Sequence, residues 1–382
     1  MILYLFKRVI SFYKFFKIDT PLFIFIISLS SLGLLILYSS SGGSMNLVYK
    51  QLIHLGLATS VMLIIAQIPP IFFLRSAPIL IILGIILLIL VLFFGSSGGG
   101  AQRWLDIGII RFQPSEIMKF LSILYISCYS VRRIKEIQTH WLGFFRPALI
   151  IVSIISIILI QPDLGSSAVI FISVLGVLFV AGVKIQQFLV VALLGVIAIT
   201  MMIIFVPWRW ERIISFIDPW SDPWGSGYQL TLSLMSIGRG DWFGVGLGQG
   251  LMKMGYLPDA HTDFIFSVIV EEMGILGGFA IISLLFGLSF RIFFIGRESL
   301  LRKNFFGFYF SFGVGLLLGL HTFINVGVSS GLLPTKGLTL PLISGGGTNL
   351  IIVCLMIGLI LRIDYENKNS MPIPMIKRRA QF

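Results

Sequence analysis

The stretch Ala77-Pro-Ile-Leu-Ile-Ile-Leu-Gly-Ile-Ile-Leu-Leu-Ile-Leu-Val-Leu-Phe-Phe94 decides what kind of fold this chain can have. Its eighteen residues include no charged or polar side chain. Coiled as a helix they span about 27 Å, close to the hydrocarbon thickness of a bilayer. Working outward, comparable apolar runs lie at 21–38, 50–68, 114–131, 144–160, 166–183, 188–206, 264–295, 305–328 and 342–363, for about ten spans in all. The fifth and sixth are separated only by Gln161-Pro162-Asp163-Leu164-Gly165, which reads as a tight re-entry because Pro and Gly interrupt a helix. The eighth run is too long for one perpendicular crossing and predicts a tilted, broken or interfacial piece. Composition agrees: the chain is 57% hydrophobic and only 12% charged, about half the charge of a soluble domain, with mean hydropathy +1.01 and 34 Phe. The expected fold is an all-α polytopic membrane protein, one integral-membrane domain over 1–382.

Charge then gives an orientation. Of the 28 Lys and Arg, 19 fall on one side if the first segment is cytoplasmic and the loops alternate. They include Lys7, Arg8, Lys14 and Lys17 in a basic segment over 1–20 and Lys377, Arg378 and Arg379 in a tail over 364–382. This bias predicts that both termini are cytoplasmic. The same spread argues against a nucleic-acid partner, since the +12 net charge is not gathered on one polar module. Cys128 and Cys354 both sit in apolar runs and offer no disulfide or zinc framework. No cleavable signal pattern follows Met1.

One long loop, 207–262, falls on the extracytoplasmic side between spans seven and eight. It carries Trp208, Trp210, Trp220, Trp224 and Trp242 together with Glu211, Asp218, Asp222, Asp241 and Asp259. So much tryptophan disfavours disorder, leaving a headgroup-level aromatic belt or a functional loop.

Several motif matches fail on context. Gly327-Val-Ser-Ser-Gly331 ends an apolar helix rather than a strand, and Gly244, Gly246, Gly248 and Gly250 lack the dinucleotide spacing. The four histidines are not paired at ligand spacing. Charges beside apolar runs are more informative, because burying one in lipid costs several kcal/mol unless it is paired or wet. Glu116 and Lys119, three apart after Pro114, form a candidate intramembrane ion pair. Asp163 sits at a tight outer turn, placed to cap the sixth span from outside. Asp263, in Asp259-Ala-His261-Thr-Asp263-Phe, begins an apolar run and is either a helix cap or a general base of raised pKa. Leu333-Pro-Thr-Lys336-Gly337 through Ser344-Gly345-Gly346-Gly347-Thr348-Asn349 is a Pro/Gly-bounded loop entering the last span. Outward cations Arg103, Arg111, Arg212, Arg239 and Lys336 with Asp163 and Asp263 suit a lipid-linked, phosphate-bearing substrate.

These groups, in this order, resemble the SEDS family of peptidoglycan polymerases, of FtsW and RodA type, across nearly the whole chain. Asp218-Pro-Trp-Ser-Asp-Pro-Trp224, Arg239-Gly-Asp-Trp242, Leu257-Pro-Asp-Ala-His-Thr-Asp263 and Leu333-Pro-Thr-Lys336-Gly look more like the cell-division, FtsW-like branch than the elongation, RodA-like branch. Gly345 departs from the pattern, since the family usually has an aromatic after the serine. The resemblance implies a glycosyltransferase that polymerises lipid II at the outer face of the bacterial cytoplasmic membrane during septal wall synthesis. It implies as partners a class B penicillin-binding transpeptidase and other division membrane proteins. Asp263 carries over as the family's essential aspartate. Substrate binding is expected from Arg103, Lys119, Arg212, Arg239, Lys336 and His261. No organic cofactor is implied; a divalent cation, magnesium or manganese, could assist the leaving diphosphate, and no metal ligand is named by the sequence. Two other readings stay open, a lipid II flippase and a non-catalytic division scaffold. A flippase would place its key charges nearer the midplane.

Overall fold

The structure, a computed structural model, describes residues 19–98, 101–107, 110–253 and 256–369. The basic stretch with Lys7, Arg8, Lys14 and Lys17, and the tail with Lys377, Arg378 and Arg379, lie outside the described residues.

A helix occupies each of the ten expected spans: α1 (Thr20–Ser40), α2 (Met45–Gln67), α3 (Pro70–Phe94), α4 (Pro114–Thr139), α5 (Trp141–Ile160), α6 (Leu164–Val180), α7 (Ile185–Ile204), α10 (Ile265–Leu301), α11 (Phe305–Ser329) and α12 (Gly347–Lys368). Eight of these are long and apolar enough to cross a membrane. The other two are α6, with 17 residues, and α4, which carries Glu116, Lys119, Arg132, Arg133, Lys135 and Glu136. Local sequence sets several starts. The Asp19 carboxylate accepts from the Leu22 N–H at 3.0 Å, and Asn304 Oδ1 from the Gly307 N–H at 3.0 Å. The overlong eighth segment does break, at Gly274 (φ 73°), where Gly244 (φ 81°) approaches so closely that a Cβ on either would lie under 3.0 Å from the other's backbone nitrogen. Only glycine meets both demands at that crossing.

Two elements lie outside this pattern. Residues 207–262 are not one irregular loop, because they contain α8 (Pro207–Ile217) and α9 (Tyr228–Gly240). Between α3 and α4 runs a small antiparallel sheet of β1 (Ser96–Gly98), β2 (Ala101–Ile107) and β3 (Ile110–Phe112), in order β1-β2-β3. Its register pairs Leu105 with Phe112 and Asp106 with Arg111.

The bundle packs through small residues, as expected where lipid removes most of the hydrophobic driving force between helices. A Cβ at Gly33 of α1 would meet Ile343 Cα at 2.9 Å, and one at Gly358 of α12 would meet Met62 O of α2 at 2.5 Å. At one end of the bundle Asp19 binds Arg291 of α10 (Nε–Oδ1 2.9 Å) and Lys368 of α12 (3.4 Å). The start of α1 and the end of α12 therefore share an end. The re-entrant turn 161–165, β2, α8 and the loops 256–264 and 330–346 gather at a common cavity.

Candidate active site

The α5–α6 turn supplies the first wall. Asp163 caps α6, its Oδ1 accepting from the Ser166 N–H at 3.0 Å, while Oδ2 accepts from Ser115 Oγ at 3.0 Å. Arg103 reaches across from β2 and donates from Nε to Gln161 O at 2.8 Å and from Nη2 to Pro162 O at 2.7 Å. Its guanidinium is held by neutral carbonyls, so its charge is not cancelled by a partner carboxylate.

The second wall carries Asp263. Asp259 takes φ 52°, a left-handed conformation that Asp tolerates better than most residues, and its carbonyl then accepts from the N–H groups of Thr262, Asp263 and Phe264 at 3.0, 3.1 and 3.3 Å. That turn is stitched to the 330–346 loop by Ser344 Oγ donating to Thr262 O at 2.7 Å and the Gly345 N–H donating to His261 O at 3.0 Å. Asn325 of α11 fixes both from behind, its Nδ2 donating to Asp263 O at 2.9 Å and to Leu338 O at 2.6 Å. Asp263 is not the cap of α10; Phe264 occupies that position without a side-chain bond. The Asp263 carboxylate lies over Gly337, where a Cβ would sit 2.6 Å from Oδ2.

Between these walls is a cavity of about 440 Å³ lined by Arg103, Arg212 and Lys336 and by Asp163, Asp259 and Asp263, with Trp208, Gln229 and Thr335 among the neutral side chains. Among the described residues none of those six charged groups is tied to another in a salt bridge. Arg212 lies over the Trp208 ring, 5.3 Å from its centroid, which steadies the guanidinium at the edge of the cavity. Burial raises the Asp263 carboxyl to about 7, the like charges of Asp259 and Asp163 adding to the rise and Arg103 and Arg212 opposing it. Burial lowers the Lys336 ammonium to about 8, helped by Arg212, Arg209 and Arg103 and opposed by Asp163. The cavity thus places one carboxyl able to hold or release a proton near neutrality beside cations able to receive an anion. Among the described residues no group of three or more His, Cys, Asp or Glu is placed to hold a metal ion, and the cavity's carboxylates are interleaved with cations. That donor set does not fit a resident divalent ion.

Of the residues singled out from the sequence, Asp163, Asp263, Arg103, Arg212 and Lys336 come together here. The others do not line the cavity: Arg111 pairs with Asp106 at 3.1 Å on the small sheet, and Glu116 holds Lys119 inside the bundle. Lys119 is fully buried in α4, bound to Glu116 Oε1 at 2.6 Å and His321 Nε2 at 3.2 Å, so a substrate cannot reach it. Arg239 turns to the buried Glu271 at 3.3 Å, which also accepts from the Leu251 N–H. His261 contributes its carbonyl to the Gly345 contact. A Cβ at Gly345 would meet Leu37 Cδ1 at 3.1 Å and His261 O at 3.2 Å, contacts tight enough that these neighbours would have to shift by a few tenths of an ångström. Asn325 was not among the residues expected at the site, and Gly337 was named only as part of its loop. For Asn325 the available signal was an amide in the midst of an apolar helix.

Comparison with known proteins agrees with this arrangement. The family of FtsW, RodA and SpoVE, described as "Cell cycle protein", matches residues 19–369. Relatives named "Probable peptidoglycan glycosyltransferase FtsW" include one from Aliivibrio salmonicida, 46% identical over 266 residues, which are 70% of this chain and 66% of that protein. Another, from Wigglesworthia glossinidia brevipalpis, is 42% identical over 361 residues, 92% of this chain and 95% of the relative. Among solved structures, a peptidoglycan synthase complex that coordinates polymerization and crosslinking contains a chain similar at TM-score 0.80 and 28% identity, covering 92% of this chain and 99% of that one. The Thermus thermophilus rod shape determining protein RodA is similar at TM-score 0.70 and 26% identity, covering 92% and 98%. With nearly its whole described length matched, this membrane protein belongs to the FtsW, RodA and SpoVE family.

Proposed function

We propose that this chain is a peptidoglycan glycosyltransferase that polymerises lipid II at the outer face of the bacterial cytoplasmic membrane, in septal wall synthesis. The observation that carries the reading is the cavity in which Asp263, titrating near 7, lies with Arg103, Arg212 and Lys336. Relatives named as peptidoglycan glycosyltransferases support it.

In the reaction Asp263, ionised, accepts the proton of the acceptor sugar's 4-hydroxyl. That oxygen forms a bond to the donor's anomeric carbon while the bond from this carbon to the phosphate oxygen breaks. The polyprenyl diphosphate departs with the electron pair. Arg103, Arg212 and Lys336 stabilise the negative charge as it develops. Arg103 is suited to this because its donors to Gln161 and Pro162 fix the guanidinium before substrate arrives. Both termini are cytoplasmic in this reading, consistent with the pairing of Asp19 and Lys368 at the end of the bundle away from the cavity. The partner is a single-span class B penicillin-binding transpeptidase, supported by the likeness to a synthase complex that couples polymerization to crosslinking.

The test is purified protein in liposomes with lipid II, with and without the transpeptidase, read as glycan strands on a gel. Strands made by wild type and lost in Asp263→Asn support the enzyme. Translocation of lipid II without strand formation would support a flippase instead, and neither activity would leave a scaffold.

A further inference from the structure

Helix α8 presents two opposite faces. At 3.6 residues per turn, Trp208 and Arg212 share one side, and both line the cavity. Trp210, Ile214 and Ile217 share the other side and are 47%, 50% and 74% exposed. Ser215, beside Trp208 on the first side, and Arg209, on the flank between the two, are buried against the protein. No part of the described chain covers the apolar face.

What covers it is indicated by the helix before it. α7 is one of the membrane-crossing helices, with only 6% of its apolar window buried in the protein, and Leu193, Ile197, Met201 and Ile204 are exposed along it. Phe205, 76% exposed, and Val206 are the only residues between α7 and α8. The exposed apolar surface of α7 thus leads within two residues to α8, whose own apolar side is exposed, and α8 starts where the apolar crossing segment ends. Tryptophan beside a cationic, amphipathic turn is the composition that partitions to the headgroup boundary.

We propose that α8 lies in the headgroup layer of the leaflet on the cavity side, with Trp210, Ile214 and Ile217 sunk to the acyl boundary and Trp208 and Arg212 turned toward the cavity. The bilayer then forms one side of the cavity's entrance. A ligand carried on a lipid meets Arg212 at the depth of its own charged headgroup. The placement goes beyond the glycosyltransferase reading and does not require it.

Site-directed spin labelling tests this. Cys128 and Cys354 are buried, so a single added cysteine takes a nitroxide selectively. The variants are Trp210→Cys, Glu211→Cys, Ile214→Cys and Ile217→Cys in the full chain, in nanodiscs of phosphatidylethanolamine and phosphatidylglycerol without any partner protein. The expected result is a several-fold higher ratio of oxygen to nickel-chelate collisions at 210, 214 and 217 than at 211. A uniformly water-like ratio at all four positions would overturn the proposal and give the apolar face to a protein partner. As a second measurement, the label at 217 should become water-exposed in I214D, a substitution on a surface helix that leaves the bundle core intact. Retention of the lipid profile there would show that this face does not hold α8 down.

Discussion

Exchanging the charges of Glu116 and Lys119 tests whether the buried pair is an organising contact of the bundle. The two groups meet at 2.6 Å with side chains 9% and 1% exposed, so the solvent screening that limits surface pairs to about 0–1 kcal/mol is missing. Removing one partner of such a pair costs about 3–5 kcal/mol because the other charge is left buried and alone. Around it, Asn349 Nδ2 donates to Glu116 Oε2 at 2.9 Å, and His321 Nε2 lies 3.2 Å from Lys119 Nζ. A lysine ammonium has only donors, so Nε2 is the acceptor and the His321 proton sits on Nδ1. Both neighbours can adapt to the exchange: the Asn349 amide can flip to offer oxygen to a lysine at 116, and His321 can change tautomer to donate to a glutamate at 119. Glu116→Lys alone and Lys119→Glu alone should each lower the thermal unfolding midpoint in detergent sharply. The double exchange should recover much of the loss, with a coupling energy of about 1–3 kcal/mol. Single variants as stable as wild type, or a double variant no better than the worse single, would refute the reasoning.

Other consequences follow from the same geometry. Because Asp263 must be ionised to accept a proton and titrates near 7, glycan synthesis should rise through about pH 7; it should fall above about pH 8 as Lys336 loses its charge, and Lys336→Arg should remove only the alkaline fall. Stability carries the opposite sign: a carboxyl raised from 3.8 favours the fold while protonated, so Asp263→Asn should unfold at higher temperature than wild type above pH 7 and gain nothing below about pH 4. Gly337→Ala places a methyl 2.6 Å from Asp263 Oδ2 and should cut the polymerisation rate at least tenfold with unchanged thermal stability, measured with lipid II in liposomes. Asn325→Leu strips the Asp263 and Leu338 carbonyls of their shared donor, costing about 1–3 kcal/mol for each group left unsatisfied, which calorimetry in detergent would register.

The helices were legible in the sequence because lipid imposes a length and a composition, and stretches such as 77–94 carry both without help from distant residues. The break at Gly274 was also foreshadowed, since residues 264–295 exceed one crossing. Glu116 and Lys119 could be paired on paper because three residues along a helix is a local relation. The sheet at 96–112 was not legible, as strands of three, seven and three residues are too short to leave much periodic signal. Helices α8 and α9 were hidden among the Trp, Pro and Gly of the long loop. Asp263 could be picked out as a carboxylate entering an apolar run, yet its setting could not. Asn325 and Gly337 act on it through a backbone carbonyl and a close approach, neither of which leaves a pattern in sequence. Arg239 was misplaced because its partner Glu271 lies 32 residues away, in the first turns of α10.

The central claim is that Asp263 is the base of a glycosyl transfer carried out in the cavity. Its most direct test is strand formation from radiolabelled lipid II by wild type and by Asp263→Asn, each purified with the transpeptidase and matched for monodispersity and lipid II binding. The account predicts strands from wild type and none from Asp263→Asn, with lipid II binding retained. Strands of normal length and rate from Asp263→Asn would contradict it.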